Sequence, residues 1–169
     1  LAALERGDAD TALAIYASTI CPSMSHGAPI NVLSDTTSFL WRLQLYGHEV
    51  AAAHWQEAAD YAHKSFPKPA TSAFVDPHMA LIEAATGDAL AVGRRVAALE
   101  DMIRNGTLGA GPVVPAICNA ALAFAQEDFA GVVKTLEPVL ADVVRIGGSG
   151  AQREMVEDTL LVALIRSGQ

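Results

Sequence analysis

Charged and aromatic residues are scarce in this chain. Of its 169 residues, only 18% are Asp, Glu, Lys or Arg and 6% are Phe, Trp or Tyr. Basic residues are the rarer sign, 11 against 19 acids, for a net charge of −8 and a pI of about 4.9. Phosphate recognition needs clustered Lys and Arg, so no nucleic-acid partner is expected. The nearest approach to a basic cluster is Arg94-Arg95, with Arg104 further on, and it reads as one solvated helix face. Cysteine is nearly absent. Cys21 and Cys118 do not make a disulfide framework, and Cys118 sits in an apolar helical stretch. The expectation is a reduced, cytoplasmic protein with one buried and one loop thiol. Long hydrophobic runs are missing as well. The longest, Val113 to Ala125, is interrupted by Pro115 and Asn119 and falls short of the ~20 residues that span a bilayer. No membrane partner is expected.

What the chain does have is 51% hydrophobic residues, and roughly one residue in five is Ala. That excludes intrinsic disorder and is enough for a core. Alanine in quantity, with few aromatics and few β-branched runs, predicts closely packed helices. The first residue is Leu1, already within a helical pattern. The chain therefore reads as a single helical-repeat domain over 1–169, a portion of a longer protein.

Four glycines follow apolar helical patterns: Gly7, Gly47, Gly87 and Gly168. Their spacing predicts a further turn near position 127, where Glu127-Asp128-Phe129 stands. The period is about 40 residues. Asp8, His48, Asp88 and Asp128 follow the turns, and Asp is a good N-cap. Ala12, Ala52, Val92 and Val132 lie five residues past the turns. Leu40, Ala80, Ala120 and Leu161 lie seven residues before them. Gly closing one helix and Asp opening the next make a tight αα-hairpin turn. The predicted helices are about 1–6, 8–20, 32–46, 50–65, 77–86, 89–104, 113–126, 129–145 and 150–167, with Pro138 expected to kink or break the eighth. The fold expected is an all-α, right-handed αα-hairpin solenoid. Longer loops, Cys21–Asn31, Phe66–Val75, Asn105–Pro112 and Ile146–Ser149, join one hairpin to the next along one edge. They serve either as a binding edge or as spacers that set the pitch.

Leu4-Glu5-Arg6-Gly7-Asp8-Ala9-Asp10-Thr11-Ala12-Leu13-Ala14-Ile15-Tyr16 resembles the second half of the tetratricopeptide motif. Ala125 to Val133 is a weaker copy. A resemblance covering most of the chain is to the family of tetratricopeptide repeat protein thirty-eight and its bacterial relatives. It is carried by Ser38-Phe39-Leu40-Trp41-Arg42-Leu43, by Ala73-Phe74-Val75-Asp76-Pro77-His78-Met79-Ala80, and by Ile146-Gly147-Gly148-Ser149-Gly150-Ala151-Gln152-Arg153-Glu154. This chain has Gly150 where that family usually has His after Gly-Gly-Ser, so no role of that His carries over. The resemblance implies a helical-repeat fold and a scaffold role. It brings no reaction, cofactor or ligand.

Candidate chemistry is thin. Asp76-Pro77-His78 could bind a metal or move a proton, but Asp76 as N-cap and Pro77 as first helical residue is the simpler account. Gly147-Gly148-Ser149 could cradle an anion with Arg153, yet Ser149 and Gln152 fit a capping box. His48, His54 and His63 do not have the spacing of a metal motif. By the tetratricopeptide resemblance, Arg42, His78, Asn119 and Arg153 would line a concave groove, with Trp41 packing between repeats. An Arg-bearing groove suits a peptide carboxylate or acidic segment. The expected function is a non-enzymatic scaffold for a protein or peptide partner, with no metal or cofactor. The alternative is a small-molecule enzyme or sensor on the long-loop edge near Asp76, His78 and Arg153. A homodimer through uncapped end helices is a third expectation.

Overall fold

The structure, a computed structural model, describes residues 2–169. It is all-helical, and among the described residues there is no strand. By contacts the chain divides into two compact units, one up to Pro67 and the other Lys68–Gln169.

The first unit holds α1 (Ala2–Glu5), α2 (Ala9–Ile15), α3 (Pro29–Leu45) and α4 (Ala52–Ser65). The helix expected over 8–20 is α in its first half only. It widens into a π-helical turn over Tyr16–Ile20. That turn carries Tyr16 into the interior, stacked on Phe39 at 5.1 Å and edge-on to His54 at 5.1 Å. The Thr36 hydroxyl donates to the Ile20 carbonyl at 3.1 Å, satisfying one acceptor at the turn's open end. α3 starts earlier than expected because Pro29 takes its first position, where a missing N–H costs nothing. α4 starts late. His48 caps nothing, and Ala52 is exposed in the first turn. Cys21, expected as a loop thiol, is buried.

The second unit holds α5 (Val75–Ala85), α6 (Ala89–Arg104), α7 (Val113–Ala125), α8 (Phe129–Leu136) and α9 (Gly150–Ser167). α5 packs on α6 and α7, α7 on α6 and α8, and α8 on α9. Pro138 does break its helix. Past Leu136 the chain tightens into a 3-10 helix over Glu137–Ile146, the response expected when proline removes an i→i−4 bond. A small apolar hollow lies between α5, α7, α8 and α9, lined by Leu81, Ile117, Ala120, Leu136 and Met155.

The tight turns share one geometry. Gly7, Gly47, Gly87 and Gly168 have φ of +75°, +83°, +79° and +77°. Glu127 has φ +59° and, among the described residues, is the one non-glycine in that region. The next residue's N–H reaches back five positions each time: Asp8 to Ala3, His48 to Leu43, Asp88 to Glu83, Asp128 to Ala123 and Gln169 to Leu164, at 2.8–3.0 Å. This is the Schellman pattern that satisfies the last carbonyls of a helix. Gly106 closes α6 in the same way. Three turns lead straight into a capped helix, Asp8, Asp88 and Asp128 accepting the N–H of Thr11, Ala91 and Gly131. No described helix is long and apolar enough to cross a membrane.

Candidate functional site

The densest polar chemistry of the second unit lies where the loop after Pro67 enters α5. Asp76 and Glu83, two helical turns apart, share one face of α5. Arg95 comes at them from α6. Its Nε and Nη2 donate to the two Glu83 oxygens at 3.0 and 2.6 Å, a bidentate fork. Its Nη1 donates to Asp76 Oδ1 and, at 3.0 Å, to the Pro69 carbonyl. The second Asp76 oxygen accepts the N–H groups of Thr71 and Ser72, both at 2.7 Å. All three charged residues are buried, Arg95 at 3% exposure. Burial works against the Arg95 charge. The hydrogen bonds and charges of Glu83 and Asp76 outweigh it, so the guanidinium stands above its ordinary pKa.

Two sequence expectations change here. Asp76 is not the N-cap of α5, which begins one residue before it, at Val75. The hydroxyl of Ser72 takes the Val75 N–H at 3.2 Å, leaving the Asp76 carboxylate for the preceding loop and Arg95. Arg95 is not part of a solvated face either, although Arg94 and Arg104 are exposed. Sequence reasoning missed Glu83 and Arg95 as a pair. The available signal was Glu83 itself, a lone carboxylate in the last turns of an otherwise apolar helix, one hairpin turn from an arginine.

His78 follows on α5, also buried. Its Nδ1 lies 2.7 Å from the Phe74 carbonyl, and a carbonyl only accepts, so Nδ1 carries the proton. The Phe74 ring tilts against the imidazole, centroids 4.8 Å apart. On its far side Phe74 meets the start of α9. A Cβ built on Gly148, at φ +75°, would stand 2.5 Å from Phe74 Cε2, so only glycine permits this approach. Ser149 N–H donates to Gln152 Oε1 at 2.5 Å within the expected capping box. Arg153 bonds its own loop, Nη1 donating to the Gly148 carbonyl at 2.7 Å. The two loops of the expected long-loop edge, 66–74 and 147–149, thus meet through Phe74 and Gly148, near His78.

Cys118 on α7 backs this cluster, Sγ 3.8 Å from the Asp76 carbonyl. Burial pushes its thiol far above the ordinary value. It is held as an unreactive thiol. Among the expected groove residues, Asn119 is exposed on α7 and Arg153 half-buried on α9, whereas His78 is buried. In the first unit, Arg42 is buried, and Trp41 packs edge-on against Trp55 of α4 at 6.4 Å, within its own hairpin. Among the described residues, no three His, Cys, Asp or Glu side chains converge to hold a metal ion. What the arrangement does chemically is pin a loop: one guanidinium ties α6, two points of α5 and the loop carbonyl of Pro69. No family model matches the chain, and no solved structure matches it.

Proposed function

We propose that this chain is a tetratricopeptide-like scaffold, a right-handed solenoid of αα-hairpins with a period of about 40 residues that binds a protein or peptide without catalysing a reaction. The observation that carries the proposal is the common turn geometry at Gly7, Gly47, Gly87, Glu127 and Gly168. The strongest instance is Glu127, where the backbone is left-handed although no glycine is present. The burial of Val92 and Val132 at matching positions past their turns agrees with it. Stacked hairpins of one register present exposed side chains at regular intervals, which suits recognition of an extended or helical partner.

The alternative, a small-molecule site around Asp76, His78 and Arg153, has weaker support. The Asp76 oxygens and the Arg95 donors are taken up inside the protein, and Arg153 is bonded to Gly148. A peptide array probed with the native chain and with Asn119→Lys and Arg153→Gln variants tests the proposal. At least one peptide should bind saturably and lose about tenfold or more in one variant, as interface hot spots do. An array on which no peptide distinguishes the variants from the native chain overturns it.

A further inference from the structure

The chain has three asparagines, Asn31, Asn105 and Asn119, and of these Asn105 alone is followed by glycine. Asn31 and Asn119 lie inside α3 and α7, ahead of Val32 and Ala120. Asn105 is the C-cap of α6, and both it and Gly106 are exposed. The side-chain amide of an asparagine is open to attack by the backbone nitrogen of the next residue. Glycine puts no side chain in the way of that nitrogen. At Gly106 the surrounding space is open as well, since a Cβ built there meets nothing within 4 Å.

The fold holds the two reacting groups apart. Asn105 has φ −87° and ψ 1°, so the Gly106 nitrogen eclipses the nitrogen of Asn105 itself. It stands about a third of a turn from Cβ, and closing a five-membered ring needs it beside Cβ. Rotating it there breaks the turn. Gly106 N–H donates to the Ile103 carbonyl at 3.0 Å, and Thr107 N–H to the Met102 carbonyl at 2.8 Å. The Thr107 hydroxyl donates to the same Met102 carbonyl at 3.1 Å, and the Leu108 N–H reaches it at 3.2 Å. Attack is closed off until the last turn of α6 frays, and helix ends are where local opening costs least.

We infer that Asn105 is a site of spontaneous covalent modification, gated by the C-terminal turn of α6 with Thr107 as its latch. In the opened turn the Gly106 nitrogen adds to Asn105 Cγ. A bond from that nitrogen to Cγ forms, the bond from Cγ to the side-chain nitrogen breaks, and ammonia leaves with the proton that Gly106 gives up. Water then opens the resulting succinimide at either carbonyl, leaving aspartate or isoaspartate, and nothing is oxidised or reduced. Either product adds a negative charge at a helix C-terminus, where the helix dipole opposes it, one turn from Asp101. Isoaspartate also runs the main chain through Cβ, so Gly106 and Thr107 lose the register of their bonds to Ile103 and Met102. The site lies on the loop between α6 and α7 and does not depend on the binding proposed above.

The test ages the full chain in mildly alkaline buffer beside a peptide with the sequence of residues 101–110, in which no folded turn has to open. Isoaspartate is read by peptide mapping and by labelling with an isoaspartyl methyltransferase. It should form at Asn105 in both, about ten- to a hundredfold more slowly in the folded chain, as expected of two or three hydrogen bonds that open together. Thr107→Val should speed conversion of the folded chain several-fold and leave that of the peptide unchanged, and Asn105→Gln should remove the product from both. An unchanged circular dichroism spectrum shows that Thr107→Val keeps the fold. Equal rates in folded chain and peptide, or a Thr107→Val chain that converts at the native rate, overturns the inference. Aspartate without isoaspartate overturns it too, as does a folded chain with no product after a reaction slowed about a hundredfold would be complete.

Discussion

Glu127 accepts a backbone cost that glycine avoids at the other tight turns. An L side chain in the left-handed region is disfavoured by about 1 kcal/mol, and the turn's two hydrogen bonds hold it there. Gly87 is the clean control, because a Cβ placed on it meets nothing within 4 Å. Gly87→Ala should therefore lower stability by about 1 kcal/mol through the backbone alone. Glu127→Gly should raise it by up to about 1 kcal/mol, reduced by the freer unfolded chain. Urea unfolding measures both, as midpoint shifts at constant m. A neutral Gly87→Ala would count against the left-handed turn. Such turns are legible in a sequence because the backbone demand selects glycine, and the spacing then finds Glu127 without one. Arg95 was not legible in that way. An arginine beside another arginine in an amphipathic helix has the same local pattern whether it faces water or a pair of carboxylates.

Whole elements were legible where periodicity and punctuation agree, as in α6, α7 and α9. They were less so where the chain leaves α geometry. Pro138 announced the break after α8 but not the ten-residue 3-10 segment that follows. Nothing local announced the π-helical turn at Tyr16. Both depend on how the segment packs rather than on its own residues. The Arg95 cluster belongs to this scale, because it joins α5, α6 and the loop before them. Loss of Arg95 leaves two buried carboxylates without their cation, and breaking a buried pair in this way costs about 3–5 kcal/mol. Arg95→Met should destabilise the second unit by that order, and Glu83→Met, which leaves Arg95 paired with Asp76, by less. The double variant should cost less than the two together, with a coupling of about 1–3 kcal/mol in a double-mutant cycle read by chemical denaturation. Additive losses would mean that the fork holds nothing.

For the molecule as a whole, the all-helical class followed from composition, through abundant alanine and few β-branched runs. Its response to pH follows from buried groups that no composition reveals. Tyr16 in the first unit and Cys118 in the second both have pKa values raised by burial above their ordinary 10.0 and 9.0. A raised folded-state pKa contributes stability that is fully present below the unfolded value and lost as pH rises beyond it. Thermal stability should therefore hold up to about pH 9 and fall steadily above it. Cys118→Ala should flatten the part of the fall that starts near 9, and Tyr16→Phe the part that starts near 10. Melting temperatures measured across that range check it, and a fall unchanged in both variants would assign the alkaline loss to other groups.

The Arg95 cluster also shapes how this sequence can change over generations. Replacing Arg95 alone passes through an intermediate with two uncompensated carboxylates in its interior, whereas losing one acid leaves the other paired with Arg95. The three positions, separated by up to nineteen residues along the chain, are thus coupled through Arg95. A lineage that loses Arg95 is under pressure to lose both acids, whereas either acid can go while the other keeps the arginine paired.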